Sequence, residues 1–557
     1  MAVNWVGIAG IVVFYLLILA IGLWASKKSK GDSDPDSVLV ASRDMNLFVG
    51  VLTTAATIVG GAYINGAAES VFAYGLVWTQ APWAYALCIS LGGILFAKNM
   101  RAKGYLTMLD PFQEKYGNRM GGLLFIPALF GEILWSAAIL SALGTTMSVI
   151  LDLNVTLSVI ISAVIVAFYT FFGGLYSVAY TDVVQLFCIF IGLWFCVPFV
   201  MTYEHAAPIT STSREWIGTI KPSDAGVWID FTMLMLLGGI TWQAYFQRVL
   251  AARSPEKAQK MSYIAGFVVL LMAVPSVLIG AVGYSTDWNS TALDLNKTNP
   301  HEEPALILPL VIQYLTPTYV AFVGLGALSA AVMSSADSSV LAASSMFAHN
   351  IWGGLFRTKV SKRELVWVIR ISIVVTTVLA TIIALTVHSV YYLYVLCSDL
   401  VYVIIFPQLV CVLYVKFCNT YGSLAGFILG FIFRVGGGED ALHIPAFIKF
   451  PFYSETDGQR FPFRTFTVAT SFAVIIVVSY VTDIVFRRGH LGPRWDVFKC
   501  VTNVEPLPNE VKYEGETDEM QMKSERSGKE QVEEVDEIKK PLTHNNESEY
   551  VAGDTRI

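Results

Sequence analysis

Charge is what this chain has least of. Asp, Glu, Lys and Arg make up 14% of its 557 residues, against 55% hydrophobic residues, and the mean hydropathy is +0.58. A soluble chain carries about a quarter charged residues, so a water-soluble globular class is excluded. Cysteine is scarce too. Cys88, Cys188, Cys196, Cys397 and Cys411 fall inside apolar runs, Cys418 at a turn and Cys500 in the polar tail. None falls in a loop assigned to the oxidising side of a membrane, so no disulfide framework is expected. P-loop, zinc spacing and dinucleotide fingerprint in its proper context are all lacking. ATP-driven pumping has no support, and the chain is read as a non-enzyme.

What is present is a series of apolar runs near the roughly 20 residues that span a bilayer. Thirteen are read, at about 4–25, 47–71, 75–97, 122–150, 157–178, 183–203, 229–250, 262–284, 304–348, 365–387, 390–415, 421–435 and 463–486. The 304–348 run is too long for one simple helix and is expected to bend or leave the membrane. The first run has no positive residue before it and Lys27, Lys28 and Lys30 after it, unlike a cleaved signal peptide. The positive-inside rule then places the N-terminus outside. Alternation puts Lys98, Arg101, Lys103, Lys115 and Arg119 inside, with Arg248, Arg253, Lys257, Lys260, Arg357, Lys359, Lys362, Arg363, Arg487 and Arg488.

Two sequons, Asn289–Ser290–Thr291 and Asn296–Lys297–Thr298, lie in a loop that this topology puts outside, and are expected to be glycosylated. A third, Asn154–Val155–Thr156, lies in a short turn close to the membrane. Residues 1–486 form the expected membrane domain. Residues 487–557, polar and rich in acid beyond Asp496, form an expected disordered cytoplasmic tail. Its last residues, Thr555–Arg556–Ile557, have the form of a carboxy-terminal ligand for a PDZ-type domain.

Two runs are interrupted by glycine pairs: Gly60–Gly61 between Asn46 and Val71, and Gly238–Gly239 between Phe231 and Leu250, followed by Trp242. Broken helices are tolerated in a bilayer where the freed backbone lines protein or a water cavity. A pair of breaks in corresponding halves points to a carrier's binding site. Close helix packing is the plainer use of glycine. Polar residues beside both breaks favour the site. Met333–Ser334–Ser335–Ala336–Asp337–Ser338–Ser339 is the densest polar string within an apolar run. On a helix Ala331 and Ser335 share one face, where a carbonyl and a hydroxyl can bind a hard cation through oxygen. Serines bonding their own helix are the alternative. Asp182 can cap a helix or bring negative charge to a cation path. Glu132 and Asp399, acids in or near apolar runs, receive no ligand role. Tyr85, Trp135 and Trp242 can offer π-faces to an organic cation at about 0.5–2 kcal/mol per contact. Trp78 and Trp83 are read as packing or interfacial rings.

Tyr169–Thr170–x–x–Gly173–Gly174–Leu175–x–Ser177, then Thr181–Asp182–x–x–Gln185, resembles the signature of the sodium:solute symporter family, and Ala331–x–x–Ser334–Ser335 resembles its sodium motif. Four further strings resemble the choline-carrying branch of that family: Gly104–Tyr105 with Thr107–Met108–Leu109–Asp110–Pro111–Phe112–Gln113, Gly121 to Leu129, Trp242 to Val249, and Met333 to Ser339. The likeness covers about residues 4–500. It implies an all-α membrane protein with a LeuT-like core of two inverted five-helix repeats, about 47–203 and 229–415. It assigns sodium to the carbonyls of Ala55, Ile58 and Ala331 and the hydroxyls of Ser334 and Ser335, with Asp182 nearby. It assigns choline to Tyr85, Trp135 and Trp242. It also implies chloride as a co-ion, a role in acetylcholine supply, and a plasma-membrane location at presynaptic terminals and synaptic vesicles.

One position departs from that pattern. The choline carriers place Trp directly after Ala-Thr in the first broken helix, whereas here Ala56–Thr57 is followed by Ile58. A carbonyl ligand survives the change and an aromatic wall does not. The lost contact is worth about 0.5–2 kcal/mol, up to about thirtyfold in affinity. The expected function is sodium-coupled choline import. The alternatives are a symporter of another small organic solute and a transport-inactive membrane sensor of the same fold.

Overall fold

The computed structural model describes residues 39–502 apart from 152, 173–174, 358, 388 and 440–441, with positions 13, 16–18, 20–21, 24 and 512–513. Most of the first apolar run, Lys27, Lys28, Lys30, Gly173–Gly174 and nearly all of the tail after Thr502 lie outside the described residues.

Among the described residues, nine helices are long and apolar enough to cross a membrane. A tenth span is the pair α1 (Leu47–Ile58) and α2 (Gly61–Tyr74), bent by 49° at the expected glycine break. Two expected spans are shorter apolar helices, Val155–Phe168 and Thr420–Gly436, and Pro304–Tyr314 is a short helix at the start of the 304–348 run. Among the described residues, length and composition thus give nine or ten spans and do not confirm the count of thirteen, whose first span lies mostly outside them. The long 304–348 run divides at Leu315–Pro317, where proline cannot continue the helical hydrogen bonding.

The helices that position the site are α3 (Ala81–Gly92), α4 (Asn118–Leu151), α5 (Val155–Phe172), α6 (Leu175–Met201), α7 (Ala225–Met233) and α8 (Gln243–Ala251). They continue with α9 (Pro255–Ser285), α10 (Ile307–Tyr314), α11 (Thr318–Met346), α12 (Lys362–Thr386) and α13 (Val390–Cys397). After these come α14 (Phe406–Tyr414), α15 (Thr420–Gly436) and α16 (Phe463–Arg487). Helix α11 is buried at every residue from Gly324 to Met346 and packs against α6 and α4. Ser329, Ser344 and Ser345 bond carbonyls of their own helix, whereas Ser334, Ser335 and Ser339 reach groups on neighbouring helices and mark what lies opposite. Helix α16 is the reverse case, packed mainly against α15 and exposing Phe466, Val477, Tyr480 and Val481.

The second interruption differs from expectation in place. Helical turns run through Gly238–Gly239 to Thr241, and the chain becomes extended three residues after Gly239, at Trp242 (φ −118°, ψ 126°). The two glycines serve close packing instead. A Cβ on Gly238 would meet the Ser398 carbonyl at 2.8 Å, and one on Gly239 would meet the Tyr85 ring at 2.8 Å.

Loops assigned to one side by charge contact one another. Arg101 Nε donates to the Ala252 carbonyl (2.6 Å), Lys115 Nζ to that of Val415 (2.6 Å), and Asn118 to that of Gly354 (2.7 Å). The other set does likewise. The Asp287 amide donates to the His205 carbonyl (2.9 Å), and Arg460 pairs with Asp224. One charge is corrected. Arg248 belongs to no loop; it lies fully buried in α8. Of the described tail residues, Lys512–Tyr513 pairs in parallel with Lys359–Val360 in the first set of loops.

Candidate functional site

The first break brings α1 against α11. Helix α1 ends at Ile58, Val59 leaves the helical region (ψ 58°), and Gly60 is extended. Gly60 has no room for a side chain: a Cβ would fall 1.5 Å from Ser335 Oγ and 3.6 Å from the Ala331 carbonyl oxygen. The Ser335 hydroxyl donates to the Thr57 carbonyl (3.2 Å). The Ser334 hydroxyl donates to Asp182 Oδ1 (2.5 Å), with the Ala56 carbonyl oxygen 3.4 Å away. Each hydroxyl oxygen keeps lone pairs free to accept a cation. Ala55, Ile58, Ala331, Ser334 and Ser335 therefore come from two segments in contact, and all five are buried. The Ala55 carbonyl also accepts the Val59 amide (2.8 Å), closing the last helical turn before the break.

Asp182 does not cap a helix. It lies inside α6 and is fully buried. Its carboxylate accepts from Thr53 of α1 and Ser334 of α11, both at 2.5 Å, and lies 3.4 Å from Arg248 Nη2. Arg248 Nη2 also donates to Ser338 (2.5 Å). A buried carboxylate in an apolar helix requires such partners. Arg248, read from the sequence as one more inner positive charge, is that partner. Asp337, one residue before Ser338, has no hydrogen-bond partner at either carboxylate oxygen among the described residues.

The second break brings rings together. Tyr85, Trp135 and Trp242 line one cavity with Gly131, Gly238, Gly239, Cys397, Ser398 and Val401. The Trp135 and Trp242 rings meet edge to face, 4.8 Å between centroids. Tyr394, absent from the sequence reading, completes the cluster at 4.9 Å from Trp135 and 5.0 Å from Tyr85. Its position was not legible because α13 is apolar throughout and aromatic at several positions. Tyr85 Oη hydrogen-bonds Ser398 Oγ, holding α3 to the end of α13. Trp78 and Trp83 stay outside the cluster. Trp78 donates to the Thr219 carbonyl, and Trp83 stacks on Trp228 at 6.3 Å.

The two acids left without a role part company. Asp399 sits in a lattice with Arg434, Arg464 and Glu439 that ties α15 and α16 to the core. Glu132 lies on α4 between the cavity-lining Gly131 and Trp135.

The geometry is that of two linings around two broken helices, one of oxygens and one of rings. The profile of the sodium:solute symporter family matches residues 39–430. The chain belongs to the sodium:solute symporter family. It is 52% identical over 520 residues to the high-affinity choline transporter 1 of Drosophila melanogaster, covering 93% of this chain and 84% of that one. It is 53% identical over 517 residues to the high affinity choline transporter 1 of Homo sapiens, covering 90% and 89%. Among solved structures it resembles a Na+-coupled sialic acid symporter in a substrate-bound outward-open state, with TM-score 0.68 and 16% identity, covering 86% of this chain and 98% of that one. That likeness speaks for the fold alone: the chain has the all-α, LeuT-like architecture of sodium symporters.

Proposed function

We propose that this chain is a sodium-coupled symporter that imports choline across the plasma membrane. The observation that carries the reading is the joining of Tyr85, Trp135 and Trp242 around one cavity at the second break. Three π-faces around a small space suit a quaternary ammonium group. Sodium binds at the first break, through the carbonyls of Ala55, Ile58 and Ala331 and the hydroxyls of Ser334 and Ser335. Asp182 acts through Ser334, orienting its hydroxyl so that its lone pairs face the ion. Both cargoes are positive, so each is drawn inward by about 2.3 kcal/mol per 100 mV of membrane potential. The rings now touch one another, so a solute enters only as they part. The two repeats, about 47–203 and 229–415, supply the moving and fixed bodies.

Finer parts of the reading come from two sources. The resemblance implies chloride as a co-ion and supply of choline for acetylcholine synthesis at presynaptic membranes and synaptic vesicles; the charge pattern and the terminal residues give an outer N-terminus and an inner, acidic tail that can bind a PDZ-type domain. Asn289 and Asn296 carry glycans in this reading. Both are exposed, and the loop before Asn289 is shaped by Asp287, whose carboxyl is held below its ordinary range by the Ser290 hydroxyl and then the Asn289 amide. A glycosidase mobility shift is expected in wild type and absent from the Asn289→Gln/Asn296→Gln double variant; a shift that persists there refutes the assignment.

The deciding experiment is uptake of labelled choline by cells displaying this chain, with external sodium present or replaced by N-methylglucamine. Concentrative, sodium-dependent uptake is expected. Uptake indifferent to sodium, or none at verified surface expression, would overturn the reading. Ile58 favours a second reading, a symporter of another small organic solute, because an aliphatic side chain stands where the choline carriers place a ring. A panel of unlabelled competitors separates the two.

A further inference from the structure

Glu132 is fully buried beside the ring cavity, one turn of α4 before Trp135. One of its oxygens, Oε2, accepts from Ser339 Oγ (3.1 Å), and Ser339 Oγ also meets Ser136 Oγ (2.8 Å). The other, Oε1, has no hydrogen-bond partner among the described residues. The Trp242 side chain and the backbone amide of Ala244, at the start of α8, also direct hydrogen-bond donors at this carboxylate. The nearby guanidinium is already engaged: Arg248 Nη2 holds Ser338 at 2.5 Å and Asp182 at 3.4 Å. A buried carboxylate met only by neutral hydrogen-bond donors is costly unless a positive charge joins it. The cavity beside it is where a cation would enter.

Ser339 gives this carboxylate a second connection. Ser335 and Ser339 are four residues apart on α11 and share one face. Ser335 donates to the Thr57 carbonyl at the first break, and Ser339 donates to Glu132, which lies on α4 between the cavity-lining Gly131 and Trp135. One buried helix therefore touches the first break through one hydroxyl and, through the next hydroxyl on that face, the carboxylate beside the cavity-lining Trp135.

We propose that Glu132 is the counter-charge of the transported cation, and that Ser339 couples that charge to the sodium-binding face of α11. The inference rests on the choline-carrier reading and deepens it: the site selects an ammonium ion by charge as well as by ring contact. A neutral solute of the same shape fills the rings but leaves the carboxylate unpaired.

The test uses the full-length chain at matched surface expression, with choline and its uncharged isostere 3,3-dimethyl-1-butanol as competitors of labelled choline uptake. Wild type is expected to prefer choline strongly. Glu132→Gln is expected to narrow that preference at least about tenfold, through loss of choline affinity with little change for the isostere. A merely structural role for Glu132 weakens both ligands together. Ser339→Ala keeps the charge and is expected to retain the preference while flattening the dependence of choline KM on sodium. An unchanged preference in Glu132→Gln overturns the proposal. If that variant does not reach the surface, Glu132→Asp decides: a retained preference supports the proposal, and equal loss for both ligands overturns it. If wild type takes up no choline, the functional reading fails first. The same comparison is then made with the solute the panel identifies, and a neutral solute overturns the proposal as well.

Discussion

The two helix breaks use one device and are lined by opposite chemistries. At the first, Gly60 lets α1 and α2 lie directly on α11, and the neighbours are hydroxyl and carbonyl oxygens. At the second, Trp242 itself leaves the helix, and the neighbours are the rings of Tyr85, Trp135 and Tyr394. A hard, small cation is held by several oxygens. A bulky organic cation, whose charge is spread over its methyl groups, is held by π-faces. The break opens the backbone in both places, and the helix packed opposite decides what binds there. Helix α11 presents serines to the first break, whereas α3, α4 and α13 present aromatic residues to the second.

The sharpest way to break this comparison is to fill each gap. Gly60→Ala puts a methyl group 1.5 Å from Ser335 Oγ and 2.4 Å from its Cβ. Such overpacking costs about 1–3 kcal/mol when neighbours can shift, and here they are two helices. Loss of nearly all sodium-dependent uptake at equal surface expression is expected; normal sodium activation would mean that the two segments do not meet this closely. Trp242→Ala should cut choline uptake by tenfold or more, on the order of one or two lost ring contacts. Trp242→Phe should retain more, because phenylalanine keeps a π-face. Equal choline affinity in both variants would remove Trp242 from the site.

A smaller effect separates the two linings. Ser335→Ala should raise the sodium concentration for half-maximal uptake about tenfold, the loss of one charge-assisted contact of roughly 1.5 kcal/mol, and leave the competitor ranking of organic cations intact. Asp182→Asn should shift sodium activation in the same direction, since it weakens the bond that orients Ser334. Unchanged sodium curves in both would show that the oxygens at the first break serve packing only. The one gain of affinity is expected at Ile58, which is buried at the end of α1. Ile58→Trp should tighten choline by about 0.5–2 kcal/mol, twofold to thirtyfold. Blocked uptake of a different solute that wild type carries well would instead identify Ile58 as room made for that solute.

Much of the architecture was legible because bilayer-spanning helices announce themselves by length and hydropathy. The Gly60–Gly61 interruption was visible because two adjacent glycines are poor helix formers. Other features were hidden for identifiable reasons. The second break falls at Trp242 because Gly238 and Gly239 are needed where α3 and the end of α13 press close, and a linear sequence does not show what presses. Arg248 reads as one more inner positive charge until its depth is known. Tyr394 is one of several aromatic residues on α13, and nothing local distinguishes the ring that turns toward Trp135.

Composition and pattern by themselves determined that this chain is a helical membrane protein, and its signature strings placed it in a family, because bilayer solvation and backbone hydrogen bonding constrain every spanning segment independently of its neighbours. Only the tertiary structure decided which polar groups face one another. Asp182 meets Thr53, Ser334 and Arg248, and Glu132 meets Ser339, across sequence separations of 66 to 207 residues. Those pairings arise because a buried charge must find partners wherever the packed helices bring them, and helical periodicity sets which face a residue occupies without saying what stands opposite.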